Sequence, residues 1–251
     1  MIFRTSDRKQ PIAPDGARLY AVGDIHGRLD LLEALLRVIE RDQKRRADLP
    51  VTLIFLGDYV DRGPDSKGVV DRLIRGFPAP YTPVFLKGNH EALLLSFLDD
   101  PCAGVNWLRN GGDDTLLSYG LGLETIQLAF WGGQSGQAEA VRQFRAALPD
   151  HHLRFYEGLK LFCRLGDYFF THAGVRPNVP LDQQGEEDLL WIRKEFITST
   201  EDFGAVVVHG HTPSRQPQDL RNRIGLDTYA VRTGKLTAVG LEGSRRWFLS
   251  T

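Results

Sequence analysis

Short runs of apolar, β-branched and aromatic residues alternate with segments of helical spacing along the first third of the chain. Residues 18–22 read as a strand. Residues 29–46 read as an amphipathic helix with Leu32, Leu35, Leu36 and Ile39 on one face, and 51–56 as a buried strand. Residues 66–75 read as a second helix, closed by Pro78 and Pro80, and 82–86 as a third strand. This β-α-β-α-β succession predicts a parallel sheet with right-handed crossovers. Residues 91–158 carry a mostly helical pattern broken at Gly111-Gly112 and Gly132-Gly133. Strands then resume: 159–164 and 168–171 around a turn at Gly166-Asp167, followed by 205–208, 224–226, 236–239 and 246–249. Their close spacing predicts a second, mixed sheet packed on the first. The expected architecture is α/β, two packed mixed sheets flanked by helices in an α-β-β-α sandwich. It forms one domain over 1–251, with a helical, cap-like segment around 91–158.

Composition narrows the classes. With 42% hydrophobic and 25% charged residues the chain is ordinary globular material. Its formal net charge of −1 argues against a nucleic-acid partner. It also provides no broad basic field to attract a polyanion. The densest basic run, Lys44-Arg45-Arg46, closes the first helix, where cations suit the helix dipole. The cysteines, Cys102 and Cys163, have no CxxC spacing and no disulfide framework, which fits a reducing compartment. Residues 1–16 are polar, and no run of about 18 apolar residues occurs, so no membrane partner and a cytoplasmic location are expected.

The chemistry lies where the apolar runs stop. Five runs lead directly into polar clusters: Gly23-Asp24-Ile25-His26-Gly27, Gly57-Asp58-Tyr59-Val60-Asp61-Arg62-Gly63, Gly88-Asn89-His90-Glu91, Thr171-His172-Ala173-Gly174 and His209-Gly210-His211-Thr212. A single Gly-Asp after a strand is ordinarily a turn, and a single histidine a satisfied core or surface residue. Here five of the seven histidines fall in these clusters, and chance placement does not account for that. His151 and His152 open a helix after Pro149 and read as structural. Ligands of open α/β sheets bind beyond the carboxyl ends of strands. Carboxylate, imidazole and amide oxygen without thiolate suit a catalytic site for manganese, iron or zinc. A pair of metals about 3.5–4 Å apart, bridged by one carboxylate, clamps a phosphate in line with an activated water. Arginine supplies bidentate phosphate clamps, and Arg62 lies in the second cluster.

Together these motifs resemble the signature set of the PPP phosphoprotein phosphatases, members of the calcineurin-like metallophosphoesterases. The resemblance spans residues 19–240, and Lys87 before Gly88-Asn89 is similar to the bacterial and phage branch. It implies the calcineurin-like fold. It also implies a cytoplasmic serine/threonine-type protein phosphatase with two divalent metal ions, manganese foremost and iron or zinc as alternatives. The implied reaction is direct attack of a metal-bridging hydroxide on a phosphomonoester of serine or threonine, with tyrosine also open. Asp24 and His26 would hold the first metal, Asp58 would bridge, and Asn89, His172 and His211 would complete the second site. His90 would be the general acid, held by Asp61. Arg62 would bind the phosphate, with Arg193 as its second arginine. His209 is not carried over as a ligand. The partner implied is a phosphoprotein or phosphopeptide; the oligomeric state is left open. The chain departs from the branch at Leu226-Asp227-Thr228-Tyr229-Ala230, where glycine is usual in place of Tyr229. That puts the local turn and the shape of the substrate groove in question.

Rival readings are separable. A cysteine phosphatase needs Cys, five residues, then Arg, yet Leu108 and Phe169 stand at that position after Cys102 and Cys163. No GxxxxGK[ST] motif is present. Symmetrical dinucleoside tetraphosphate hydrolases resemble the chain but tend to lack the aspartate matching Asp61 and to carry Asp where this chain has Glu91. A non-catalytic phosphate-binding module would be expected to have lost a ligand or the acid, and none is missing. Trp107, Tyr119, Phe130 and Trp131 are expected to line a peptide groove beside the metals.

Overall fold

Side-chain alternation within the strands sets the layering of the molecule. The structure, a computed structural model, describes residues 10–251, so most of the polar stretch at 1–16 lies outside the described residues. Its strands are β1 (Arg18–Val22), β2 (Val51–Phe55), β3 (Tyr81–Phe85), β4 (Phe162–Leu165), β5 (Tyr168–Thr171), β6 (Val206–His209), β7 (Gln218–Asp219), β8 (Arg223–Gly225), β9 (Thr237–Glu242) and β10 (Arg245–Ser250). Its helices are α1 (Leu29–Gln43), α2 (Ser66–Ile74), α3 (Asn89–Asp99), α4 (Gly104–Trp107), α5 (Asp113–Ser118), α6 (Leu123–Trp131), α7 (Gly133–Ala147), α8 (Asp150–Glu157), α9 (Glu186–Trp191), α10 (Lys194–Ile197) and α11 (Ala230–Thr233).

The strands form two five-stranded mixed sheets, ordered β10-β9-β1-β2-β3 and β4-β5-β6-β8-β7. In β1, Leu19 and Ala21 face the other sheet, whereas Tyr20 and Val22 face the helices. Tyr168 and Phe170 of β5, with Val206 and Val208 of β6, complete the layer between the sheets. Phe169 and Val207, one residue out of phase, pack on the far side against Leu189 of α9 and Phe196 of α10. A period of two thus divides each strand between two hydrophobic layers, and the expected α-β-β-α sandwich is the observed fold. No helix among the described residues is long and apolar enough to cross a membrane.

One expectation about the sheets is corrected. The strands near residues 236–249 do not extend the second sheet. With β2 on one side only, β1 has a free edge, and β9 pairs antiparallel there with Leu19 opposite Leu241. β10 follows as a hairpin, and Trp247 packs edge-on against Tyr20 with ring centroids 6.0 Å apart. The helices α9 and α10 and the strand β7 had no counterpart in the sequence reading.

His152 is buried on α8 and has the structural role expected of it. Its Nε2–H donates to Asp71 Oδ1 of α2 at 3.0 Å, and its Nδ1 accepts from the Tyr119 hydroxyl at 2.7 Å. Tyr156 continues the chain to Tyr119 at 2.9 Å, and Lys67 closes it on Asp71 at 2.8 Å. Removing the imidazole leaves a cavity and takes from the buried Tyr119 hydroxyl its acceptor. His152→Ala is therefore expected to lower the free energy of unfolding by about 2–4 kcal/mol, read by urea denaturation. A loss below about 0.5 kcal/mol, the range of neutral surface changes, would contradict this role.

Candidate metal centre

The parallel strands β1, β2 and β3 of one sheet and β5, β6 and β8 of the other end at the same rim. All but β8 are followed by residues of the five polar clusters, β8 leads to Asp227, and the two sheets' loops meet there. The loops turn so sharply that backbone conformations normally left to glycine are common. Non-glycine residues with positive φ among those described are His26 (46°), Asp58 (51°), Asp61 (71°), Arg62 (66°), Asn178 (62°), His211 (58°) and Tyr229 (58°). All but Asn178 belong to this rim, and such residues cost of order 1–3 kcal/mol each. Glycine is needed where chains touch: a Cβ on Gly210 would collide with the Asp24 carboxylate, and one on Gly88 with Asp58.

Asp58 stands at the middle. Its Oδ1 lies 3.4 Å from His172 Nε2 and its Oδ2 3.5 Å from His26 Nε2. Two groups of ligand-type side chains therefore share it: His26, Asp58 and His90 on one side, and Asp58, His172 and His211 on the other. Asn89 Oδ1 joins the second group, 2.8 Å from His172 Nε2 and 2.9 Å from His211 Nδ1. Asp24 sits against the opposite loop, where its Oδ2 accepts from the His211 N–H at 2.9 Å. Its Oδ1 is buried without a hydrogen-bond partner. Every residue of the expected ligand set thus reaches this rim, although Asp24 falls outside both three-residue groups. Arg62 and Arg193 flank the centre, each with one guanidinium nitrogen 3.0 Å from an imidazole, of His26 and His211 respectively. His209 stands apart, its Nδ1 on the Gly210 carbonyl at 3.0 Å.

The donor set fits a cation. His172 Nδ1–H donates to the Leu56 carbonyl at 2.9 Å, so in the neutral ring Nε2 presents a lone pair. That lone pair faces the amide oxygen of Asn89 at 2.8 Å, a repulsive contact unless a positive charge lies between them. A proton is disfavoured in that place, because burial pushes His172 below its ordinary value. Burial, then His90, pushes His26 down to about 3, and burial, then His172, pushes His211 down to about 2. Asp24, pushed up by burial and next by Asp227 and Asp58, likewise lacks the positive charge its ionised form requires. Ring nitrogens tied to backbone carbonyls, as in His172 and in His26 (Nδ1 on Val60 O, 2.9 Å), are how proteins orient metal-binding imidazoles.

Residues 17–239 match the calcineurin-like phosphoesterase family. The chain belongs to that family. It is 30% identical over 236 residues to serine/threonine-protein phosphatase 1 of Salmonella typhimurium, covering 92% of this chain and 94% of that one. It is 38% identical over 231 residues to a symmetrical bis(5'-nucleosyl)-tetraphosphatase of Legionella pneumophila, covering 87% of this chain and 65% of that one. Among solved structures, a protein provisionally assigned as a diadenosine tetraphosphatase superposes with a TM-score of 0.60 at 25% identity, over 96% and 98% of the two chains. This calcineurin-like phosphoesterase is therefore a metallophosphoesterase whose His and Asp groups fit a divalent-metal site, with relatives named for both substrate types.

Around the phosphoesterase centre are contacts that the sequence does not reveal. Asp61 Oδ2 lies 2.7 Å from His90 Nδ1, and the same carboxylate accepts from Trp107 Nε1 at 2.9 Å and Thr115 Oγ1 at 2.6 Å. Trp107 and Tyr119 are buried and do not line a groove; Trp107 bonds Asp61, and Tyr119 bonds His152. Asp227, on the loop after β8, accepts the Tyr229 N–H at 2.8 Å and is pushed up to about 6, chiefly by burial. Tyr229 retains the turn usually given to glycine, in the left-handed region at φ 58°, at a cost of roughly 1–2 kcal/mol.

Glu91, fully buried, organises the Asp58 loop. Its carboxylate accepts from the backbone N–H of Gly88 (2.8 Å), Asp58 (2.9 Å) and Tyr59 (2.7 Å). Burial, then Asp58, pushes it up to about 8 against the pull of those amides. Glu91→Gln turns an NH2 toward at least one of these donors, a loss of about 1–3 kcal/mol. At about 2–4 °C per kcal/mol for a chain of this size, differential scanning calorimetry is expected to show a Tm lower by roughly 3–10 °C. An unchanged Tm would remove this role from Glu91.

Proposed function

We propose that the chain is a metal-dependent phosphoprotein phosphatase that hydrolyses phosphomonoesters of serine and threonine, with tyrosine also admitted. In this reading the ligands are those the motif resemblance implies: Asp24 and His26 on one side, Asn89, His172 and His211 on the other, and Asp58 shared; the shared place of Asp58 between His26 and His172 supports it. Bound there, two divalent ions, manganese foremost and iron or zinc as alternatives, would supply Lewis-acid activation of water and of the phosphoryl oxygens.

The observation that carries the reading is the buried pair of His90 and Asp61. With Nδ1–H given to Asp61 at 2.7 Å, the ring turns Nε2 toward the centre, 3.9 Å from Asp58 Oδ2. Burial pushes His90 down, but Asp58 and Asp61 more than reverse this and hold it above the ordinary imidazole value. A proton held on Nε2 of this ring is placed for delivery to a departing alkoxide. An alkoxide needs that proton far more than a phosphate leaving group does, which is why the pair supports an ester of a hydroxyl side chain. Arg62 and Arg193, exposed at the mouth on either side of the centre, are placed to bind and orient the phosphoryl oxygens.

His90→Asn is expected to slow turnover of an alkyl phosphomonoester such as phosphoserine peptide by about 10²–10⁴-fold. Turnover of p-nitrophenyl phosphate, whose leaving group needs little protonation, should fall far less. Steady-state kinetics on both substrates decides the role, and equal losses on the two would remove it.

A second reading, hydrolysis of dinucleoside polyphosphates, is favoured by one observation. The near-neutral chain gathers Arg62, Arg109, Arg193 and Arg232 around the cleft above the centre, a local basic field that net charge alone did not reveal. The ratio of kcat/KM for phosphoserine and phosphothreonine peptides to that for diadenosine tetraphosphate, at equal manganese, separates the two. A ratio above one is expected. A ratio well below one transfers the chain to the second reading.

A further inference from the structure

A cleft of about 630 Å3 opens on the metal centre, and its four arginines fall into two pairs. Arg62 and Arg193 lie against the imidazoles of His26 and His211 and serve the phosphoryl group in the function proposed above. Arg109 and Arg232 line the same cleft and are exposed, and their guanidinium groups make no hydrogen bond or ion pair with the described residues. The geometry around them is built rather than accidental. Arg109 belongs to the turn whose Gly111 carbonyl accepts the Arg62 N–H at 3.2 Å, so the segments carrying the inner and outer arginines on that side are tied together. Arg232 holds its guanidinium carbon 5.8 Å from the centre of the Tyr229 ring. The backbone that carries that ring is left-handed at φ 58°, and its N–H donates to Asp227.

The charge balance leaves the cleft with more guanidiniums than carboxylates. Two carboxyl groups line the cleft, Asp114 and Asp227, and Asp227 already accepts from the backbone. One scissile phosphate brings at most about two negative charges, which Arg62 and Arg193 match. In a chain whose formal net charge is −1, four arginines in one concavity are a local concentration and not the effect of general basicity.

We propose that Arg109 and Arg232, with Tyr229 as the wall beside them, form an outer anion subsite. It takes a second anionic group of the substrate, next to the scissile phosphate. Under the phosphoprotein reading, on which this rests, the occupant is a carboxylate or second phosphate on a flanking residue of the peptide. The same chemistry is supplied by the additional phosphates of a polyphosphate chain. Tyr229, where glycine is usual in the branch it resembles, narrows the cleft so that the second anion meets the two arginines.

The test is a ratio of kcat/KM values, measured with manganese at fixed ionic strength. One phosphoserine peptide has neutral residues on both sides, the other aspartates on both sides, and diadenosine tetraphosphate is run in parallel. The unaltered enzyme is expected to favour the acidic peptide by about five- to tenfold, the scale of partly exposed ion pairs. Arg109→Gln with Arg232→Gln should bring that ratio to about one. Arg109→Lys with Arg232→Lys should keep most of it, showing that charge and not loop packing is read. A ratio near one in the unaltered enzyme, or a preference that survives the glutamine pair, overturns the subsite and leaves the phosphoprotein reading intact. Turnover of the tetraphosphate alone, reduced by the glutamine pair and kept by the lysine pair, supports the subsite and overturns the phosphoprotein reading. Turnover of the tetraphosphate alone that the glutamine pair leaves unchanged overturns both.

Discussion

Two hydrogen bonds tie one sheet to the other across the polar rim: His172 Nδ1–H to the Leu56 carbonyl, and the His211 N–H to Asp24. The rest of the structure depends on what they connect. Two sheets packed through aliphatic and aromatic side chains could slide over one another at little cost, because such contacts have no direction. A buried carboxylate and a buried imidazole cannot slide, since losing a partner costs about 1–3 kcal/mol. The bonds therefore fix the relative height of the sheets at the place where the chemistry needs it fixed. The left-handed residues of the loops follow from this. His26, Asp58 and His211 hold unfavourable backbone angles because that is the way to bring their side chains to a common point.

The helical segment between the sheets fixes His90 through Asp61. Trp107 at the end of α4 and Thr115 in α5 both donate to Asp61, which holds His90. Trp107 is at the same time stacked with Phe144 of α7 and tilted on Phe97 of α3. The position of His90 is thus set by the packing of four helices. A core substitution in that segment, far from the phosphate, bears on the direction in which Nε2 points.

Much of this was legible in the sequence, for reasons that can be named. β1, β2, β5 and β6 are apolar on both faces because each separates two hydrophobic layers, so their runs stand out. The residues that end them are histidine, aspartate and asparagine, which are rarely gathered after strands by chance. Other elements gave no local signal. α9 has six residues, α10 four and β7 two, too few for a period to register. The partnership of β9 with β1 depends on which edge is free, a property of the folded sheet. Trp107 and Thr115 lie 46 and 54 residues from Asp61, and apolar or hydroxyl residues in a helical pattern are indistinguishable from ordinary packing. Glu91 read as part of a motif, but its task, accepting amides from a loop more than thirty residues away, has no sequence mark. Net charge, an average over the chain, hid the four arginines of the cleft.

The place of β1 between β2 and β9 has a consequence for synthesis. One neighbour is complete by residue 55, the other not until residue 242. At about 5–20 residues per second, the interval between them lasts roughly 10–40 s, during which the edge of β1 that faces β9 has no native partner. That edge carries Tyr20 and Ala21 on a strand with no charge after Arg18, the kind of unpaired edge that templates association between chains. In a nascent chain of this fold β1 therefore waits half paired, and the hairpin of β9 and β10, made much later, is the cover for that edge.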